Sequence, residues 1–358
     1  MENSEVVGIK SVLLTMINPM YTTEQLDSLF KVLREAKTIL IFGHKSPDGD
    51  SIGSTLALHH YLAAKGIESQ VIHPDGFPNF LNWMKGTESI ICFDKQTEKV
   101  TELVAQADVI FNLDYNEQSR VGKQLGELLK QSKATKVMID HHQQPDDFAE
   151  FTFSDTSSCS TCQLVYELIE AQNDLDCIHP EMGSCIYTGI LTDTGSFRFS
   201  SVTEKTHQIA ASLISRGVVH SQIHEAIYDV NTPERLTLLG YTLNNKLEVL
   251  PEIKTAIISL TKEELLAHNT QKGYTEGFVN MALSILGIEV AVFVKEDDKL
   301  VKISFRSKGT IPVNEFSKQH FGGGGHINAA GGASHTSVSE TVDKIKKELP
   351  TFLSQLTQ

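Results

Sequence analysis

The stretch "GHKSPDGDSIG" sets His44, Asp48 and Asp50 four and two residues apart, close to the start of the chain. Asp114 closes the run "VIFNLD", Asp140, His141 and His142 close "KVMIDHH", and Asp193 follows an apolar stretch in "GILTDTGSFRF". If these acids converge they repel one another strongly, and no matching group of Lys or Arg accompanies them, so a cation is required. Six of these side chains, four carboxylates and two imidazoles without a thiolate, are already too many donors for one tetrahedral zinc site. They suit two hard or borderline ions such as Mn²⁺, with Mg²⁺ or another divalent metal as a substitute. Two metals about 3.5–4 Å apart activate a water and steady both the attacking and leaving oxygens of a phosphate ester. Phosphoester hydrolysis is therefore the expected chemistry. Any one of these acids taken alone would be read as a helix or turn cap. Several strand-end sites together with an HxxxDxD run are not explained by capping.

For these residues to meet, the chain must bring distant segments to one edge. From about residue 36 to 217, short β-rich runs alternate with amphipathic helical ones, the pattern of a parallel sheet wrapped by helices. "TILIFG", "SQVIHP", "DVIFNL" and "KVMI" are nearly continuous in apolar residues, as strands covered on both faces are. In such a sheet ligands bind outside the carboxyl ends of the strands, where His44, Asp114 and Asp140–His142 all fall. The segment "DSIGSTLALHHYLAAKG" reads as a crossover helix, which assigns the second His-His pair, His59 and His60, to a helix surface and core edge. His73 ends a strand but has no acid beside it.

Length and composition bound the rest. At 358 residues the chain exceeds what one core usually organises. The expected fold class is α/β: a parallel-sheet domain over residues 20–217, a helical connector over 218–252 and a smaller α/β domain over 253–358. In the second domain "EVAVFVKEDDKLVKISFRSKG" reads as two β runs joined by an acidic turn at Asp297 and Asp298. "INAAGG" is expected to begin a short helix. Hydrophobic content of 40% with 21% charged residues marks a soluble protein, and no apolar run reaches membrane-spanning length. The amino terminus lacks the features of a secretory signal, so the cytoplasm is the expected location. A net charge of −14 argues against binding long duplexes through many phosphates. Five cysteines, including the CxxC of Cys159 and Cys162, read as packing residues.

In order along the chain, "HKSPDGDSIG", "NLD", "DHH", "TDTG" and "GGGGHINAAGG" resemble the successive motifs of the DHH–DHHA1 phosphoesterase family. "LTDTGSFRFSS", "VKISFRSKG" and "FGGGGHINAAGG" are most similar to its NrnA type, bifunctional oligoribonucleases and 3′-phosphoadenosine-5′-phosphate phosphatases. The resemblance implies that His44, Asp48 and Asp114 hold one Mn²⁺, and that Asp50, Asp114, His141 and Asp193 hold the other. Asp140 would orient His141, as carboxylates do for metal-bound imidazoles, and His142 would face the scissile phosphate. In the second domain Arg306, Gly323, Gly324, Gly325 and His326 would bind substrate, the glycines through open backbone N–H groups. Arg120 either supports a phosphate or pairs with acids. The implied substrates are short single-stranded RNA, cleaved to nucleoside monophosphates, and 3′,5′-adenosine bisphosphate (pAp); the implied assembly is a homodimer. A cyclic-dinucleotide phosphodiesterase is the rival within the enzyme class. A non-catalytic nucleotide sensor is the rival outside it, and it would predict a broken metal set.

Overall fold

The computed structural model describes residues 21–271, 273–298 and 300–356. The first sheet contains β1 (Ile39–Phe42), β2 (Gln70–His73), β3 (Ile91–Cys92), β4 (Val109–Leu113), β5 (Thr135–Asp140) and β6 (Phe151–Ser154). All its pairings are parallel, in the order β3-β2-β1-β4-β5-β6. The chain runs outward from β1 to β3 and then returns to the other side of β1 with β4, so the order reverses between those two strands. Neighbouring loops diverge at such a point and leave a crevice.

Both faces of this sheet are covered, which explains the unbroken apolar runs. On β1, Ile39 and Ile41 point into the core shared with Leu56 and Tyr61 of helix Gly49–Ala64 and Ile186 and Ile190 of helix Pro180–Asp193. Leu40 and Phe42 point the opposite way, toward Val100, Val104, Leu125 and Leu129. β3 and β6 carry little sequence signal because each is short and sits at a sheet edge.

Two glycines bring helices Gly49–Ala64 and Pro180–Asp193 close together. A Cβ on Gly53 would lie 2.6 Å from the Cys185 carbonyl, and one on Gly189 would lie 2.2 Å from Cys162 Sγ and 2.5 Å from Asp50 Oδ1. This close approach delivers the N-terminal end of one helix, with Asp48 and Asp50, to the C-terminal end of the other, with Asp193.

The second sheet is mixed and contains β7 (Leu247–Leu250), β8 (Thr255–Leu260), β9 (Val290–Glu296), β10 (Val301–Ser307), β11 (Gly324–His326) and β12 (Ala329–Ser334). Its order is β11-β12-β10-β9-β8-β7, with β8 and β9 parallel and the other pairs antiparallel. Ile303 and Phe305 of β10 pack with Phe316 and with Ile345 and Leu349 of helix Val338–Gln355.

Two expectations are corrected here. The stretch 218–252 is not wholly helical: after helices His220–Tyr228 and Pro233–Asn245 it contributes β7, whose pairing with β8 decides its conformation. "INAAGG" starts no helix. It turns from β11 into β12, and Gly324, Gly325 and His326 pair with Gly331, Ala330 and Ala329. The Gly323 N–H donates to the Ser317 carbonyl, so it is not open to a phosphate.

The glycines of this hairpin differ in what they tolerate. A Cβ on Gly323 would lie 1.8 Å from the Gly331 carbonyl oxygen, whereas one on Gly324 meets nothing within 4 Å. Gly323→Ala is expected to destabilise the protein by about 1–3 kcal/mol, the usual cost of overpacking. Gly324→Ala should stay within about 0.5 kcal/mol of the parent. Thermal melts of the two variants side by side check this; equal melting temperatures would contradict the packing described.

Candidate metal centre and active-site cleft

The residues expected at strand ends meet in the crevice between β1 and β4. His44 follows β1, and its Nδ1 lies 2.9 Å from the Lys45 carbonyl. His141 follows β5, and its Nδ1 lies 3.2 Å from the Ser158 carbonyl. A carbonyl only accepts, so both Nδ1 atoms donate, and in the neutral ring Nε2 is left as a lone pair. Those lone pairs face carboxylates. His44 Nε2 is 3.3 Å from Asp114 Oδ2 and 3.8 Å from Asp48 Oδ1. His141 Nε2 is 3.3 Å from Asp193 Oδ2, 3.6 Å from Asp114 Oδ1 and 3.8 Å from Asp50 Oδ2.

Acceptors facing acceptors need a positive charge between them. His141 Nε2 is buried and has no well-aligned hydrogen bond. Among the described residues four groups of side chains have the composition and spacing to hold a metal ion, and two of them match the expected sets: His44, Asp48 and Asp114, and Asp50, His141 and Asp193; the others are His141, His142 and His326, and Asp114, Asp140 and His142. Asp114 turns one oxygen toward each histidine. It does so from a left-handed backbone conformation, φ 64°, at a cost of about 1 kcal/mol or more that an isolated turn would have no reason to bear.

Each carboxylate is held by something nearby. Asp48 caps its helix, its Oδ1 accepting from the Asp50 and Ser51 N–H groups, so one residue both caps the helix and faces His44. Asp50 is buried and accepts from the N–H groups of Thr161 and Cys162 at 2.7 and 2.9 Å, at the N-terminal end of helix Thr161–Ala171. That end of a helix favours an anion. Asp193 is the last residue of its own helix, where the dipole disfavours one. Thr161 Oγ1 donates to Asp114 Oδ1 at 3.1 Å.

Burial, and after it the charge of Asp193, pushes the Asp50 carboxyl up to about 7. Burial and then the charges of Asp50, Asp48 and Asp193 hold Asp114 well above the usual carboxylate range. Burial alone would lower His141, but Asp193, Asp50 and Asp140 together push it up to about 10. All three shifts express one demand, for positive charge at this point.

Asp140 differs from expectation. Its Oδ1 is 2.7 Å from His142 Nδ1 and its Oδ2 accepts the His142 N–H at 3.0 Å, so it orients His142 rather than His141. The reason is local: His141 turns away to the Ser158 carbonyl, while His142 folds back over the end of β5. With Nδ1 engaged, His142 keeps Nε2 for another partner.

The second domain closes over this face. The His326 ring stacks on His142 with centroids 4.5 Å apart and lies 4.9 Å from His141. Burial, and then the neighbouring His141 and His142, lowers it to about 2, so it meets the cleft as a neutral ring. Between the domains lies a cavity of about 690 Å³ bordered by Asp193, Arg198, Phe199, Arg306, Lys308 and His326. Arg306 is half-buried and donates to its own strand at the Phe305 carbonyl. Gly323, Gly324 and Gly325 do not border the cavity; their contribution is to place His326.

His59 and His60 stand apart, bonded to Ser69 Oγ and the Lys85 carbonyl on the flank of their helix. His73 is buried beneath the Gly43–His44 turn and bonded to Thr55. Arg120 keeps a buried Nε without a partner, and its carbonyl accepts the Lys45 N–H. Sequence reasoning missed Thr161, Ser158 and Arg198. Only Thr161 had a signal, Ser160 preceding a helical run and therefore aiming the first N–H groups outward.

Residues 38–190 match the DHH family, N-terminal domain, and residues 254–355 match the DHHA1 domain. The bifunctional oligoribonuclease and PAP phosphatase NrnA of Thermus thermophilus is 30% identical, over 86% of this chain and 88% of its own. This chain belongs to the DHH family. The NrnA of Bacillus subtilis is 27% identical over 91% of this chain and 98% of its own. A crystal structure of an exopolyphosphatase-related protein from Bacteroides fragilis superposes with a TM-score of 0.90 at 38% identity, covering 94% of this chain and 98% of the other. The DHH-family chain described here is accordingly a phosphoesterase with a DHH and a DHHA1 domain. No helix among its described residues is long and apolar enough to cross a membrane.

A raised carboxyl binds more protons in the folded state than in the unfolded one, so the stability it contributes is present at low pH and lost as pH rises. For Asp50 that window runs from about 4 to about 7, and for His141 from about 6.5 to about 10. A divalent ion bound there would replace those protons. Mn²⁺ is therefore expected to raise the melting temperature more at pH 8 than at pH 5.5, by several degrees. Equal shifts at the two pH values would contradict the cluster's charge demand.

Proposed function

We propose that this phosphoesterase cleaves short RNA oligonucleotides to nucleoside monophosphates and removes one phosphate from pAp, using two divalent ions, Mn²⁺ by preference. The observation that carries the two-ion reading is Asp114, whose two oxygens face two separate histidine-carboxylate groups. The similarity to NrnA proteins over most of the chain supports the substrates. His44, Asp48 and Asp114 would hold one ion, and Asp50, Asp114, His141 and Asp193 would hold the other. When bound, the ions supply a nucleophilic water at neutral pH and offset the charge of the phosphate.

The chain's own residues do the rest. Asp140 fixes His142 through Nδ1 and steadies the ring when it carries a second proton, as the buried acid of a hydrolase triad does for its histidine. Protonated His142 donates from Nε2 to the departing oxygen. His326 and Arg306 border the cavity beside it and take the phosphate at the substrate's other end, Arg306 with paired donors. The DHHA1 domain covers His142 by resting His326 on it.

Purified protein with Mn²⁺ should hydrolyse pAp and a linear RNA dinucleotide, and should leave cyclic di-AMP unreacted. Turnover of the cyclic substrate alone would replace this reading with a cyclic-dinucleotide phosphodiesterase. Failure on all three would remove it.

Asp140→Asn keeps the shape of the side chain and removes the charge behind His142. It should lower kcat by about 100-fold or more, with little change in Mn²⁺-induced melting shift. An unchanged kcat would show that His142 needs no oriented partner.

A further inference from the structure

His73, the last residue of β2, has no part in the reaction proposed above, yet it lies wholly buried against the turn that delivers His44. A Cβ on Gly43 would lie 2.2 Å from His73 Cε1, 2.8 Å from His73 Nδ1 and 2.5 Å from Ser51 Oγ, so the ring and the serine close on the same point of backbone. Thr55 Oγ1 is 3.1 Å from His73 Nε2 and 2.8 Å from the Ser51 carbonyl. A hydroxyl has one proton and a carbonyl only accepts, so Thr55 donates to Ser51 and accepts from His73 Nε2. Burial, and then the neighbouring His44, lowers His73 to about 3, so the ring holds that one proton and its Nδ1 is a bare lone pair. Among the described residues no well-aligned donor meets this nitrogen.

Ser51 has the complementary need. Its Oγ accepts the His44 N–H at 3.2 Å and its own N–H donates to Asp48 Oδ1 at 3.1 Å, so it ties together two neighbouring members of the cluster. Ser51 is as fully buried as His73. A buried donor and a buried acceptor each left unpaired are costly, and turning the Ser51 hydroxyl toward His73 Nδ1 pairs both. The same rotation points a lone pair of Ser51 Oγ at the His44 N–H.

We infer that His73 is a positioning residue for His44 and Asp48: by accepting the Ser51 hydroxyl proton at Nδ1, it fixes the direction in which Ser51 holds them. The inference rests on the reading above for an ion at His44, whereas the network of Ser51, Thr55 and His73 stands without it. Groups behind a metal-binding side chain set its orientation, and losing one weakens metal affinity or activity by about 10- to 100-fold. Asp50 and His141 take their bonds from elsewhere, from the Thr161 and Cys162 N–H groups and the Ser158 carbonyl. A change at His73 therefore acts on the ion beside His44 and spares the one beside His141.

The test titrates the full chain with Mn²⁺ and follows the electron paramagnetic resonance signal of the free ion, which separates two classes of site by affinity. His73→Leu keeps the volume of the side chain and removes both nitrogens; it should weaken one class about tenfold and the other by less than about twofold. His73→Asn, whose Oδ1 falls near the place of Nδ1, should recover most of that loss. H73L/S51A should bind no more than about twofold more weakly than S51A alone, because the proton that His73 receives is already gone. Heteronuclear NMR of isotope-labelled histidines in the metal-free parent needs no ion and no variant that folds: His73 should show the Nε2–H tautomer with Nδ1 accepting a hydrogen bond. An Nδ1–H tautomer at His73, equal losses at both classes of site, no loss at either, or additive losses in H73L and S51A would each overturn the inference. Selective loss at one class in a protein that hydrolyses neither pAp nor an RNA dinucleotide would overturn the hydrolase reading and leave the positioning role standing.

Discussion

Repulsion among buried carboxylates is the constraint around which this molecule is arranged. Asp50, Asp114, Asp140 and Asp193 are brought from four separate segments to one crevice, and Asp50, Asp114 and Asp140 are almost wholly shielded from water. Local devices reduce the cost without removing it. Helix N–H groups hold Asp50, a threonine hydroxyl holds Asp114, and His142 holds Asp140. His44 and His141 cannot cancel what remains as neutral rings, because each spends its N–H on a backbone carbonyl. Either a proton on His141 or a metal ion must complete the balance, and a hydrolase working near neutral pH gains catalysis from the second.

That electrostatic demand links the two domains. His326 is a neutral, buried ring lying on His142, and it is carried by an edge strand whose neighbouring glycine tolerates no side chain. Burial, and then the neighbouring His141, His142, Arg120 and Arg306, keep that ring neutral. The tight packing of Gly323 against β12 thus serves a residue on the other side of the cleft, and the Gly-rich stretch works through rigidity, where its composition alone would predict a flexible loop.

The parallel sheet and the edge where the acids and histidines gather were legible because strands covered on both faces carry unbroken apolar runs, and because chemistry-bearing residues stood just past them. His44, Asp114 and Asp140 could be placed from that alone. β3, β6 and β7 were not legible: each is short, and pairing with a neighbour holds it where its own composition does not. The turn from β11 to β12 was misread as a helix start for the same reason, since its ladder to β10 lies far away in sequence. Asp140 was assigned to the wrong histidine because adjacent residues past a strand end diverge by side-chain direction, and the carbonyl that draws His141 away belongs to Ser158, seventeen residues on.

A net charge of −14 does not bar the candidate site from an anionic ligand, because what counts there is where the positive charge lies. Binding a long strand requires cations over many phosphates, and the acidic surface works against it. Binding one to three phosphates requires only a local reversal of sign. Arg198, Arg306 and Lys308 border the cavity between the domains and give such a reversal beside the carboxylate cluster.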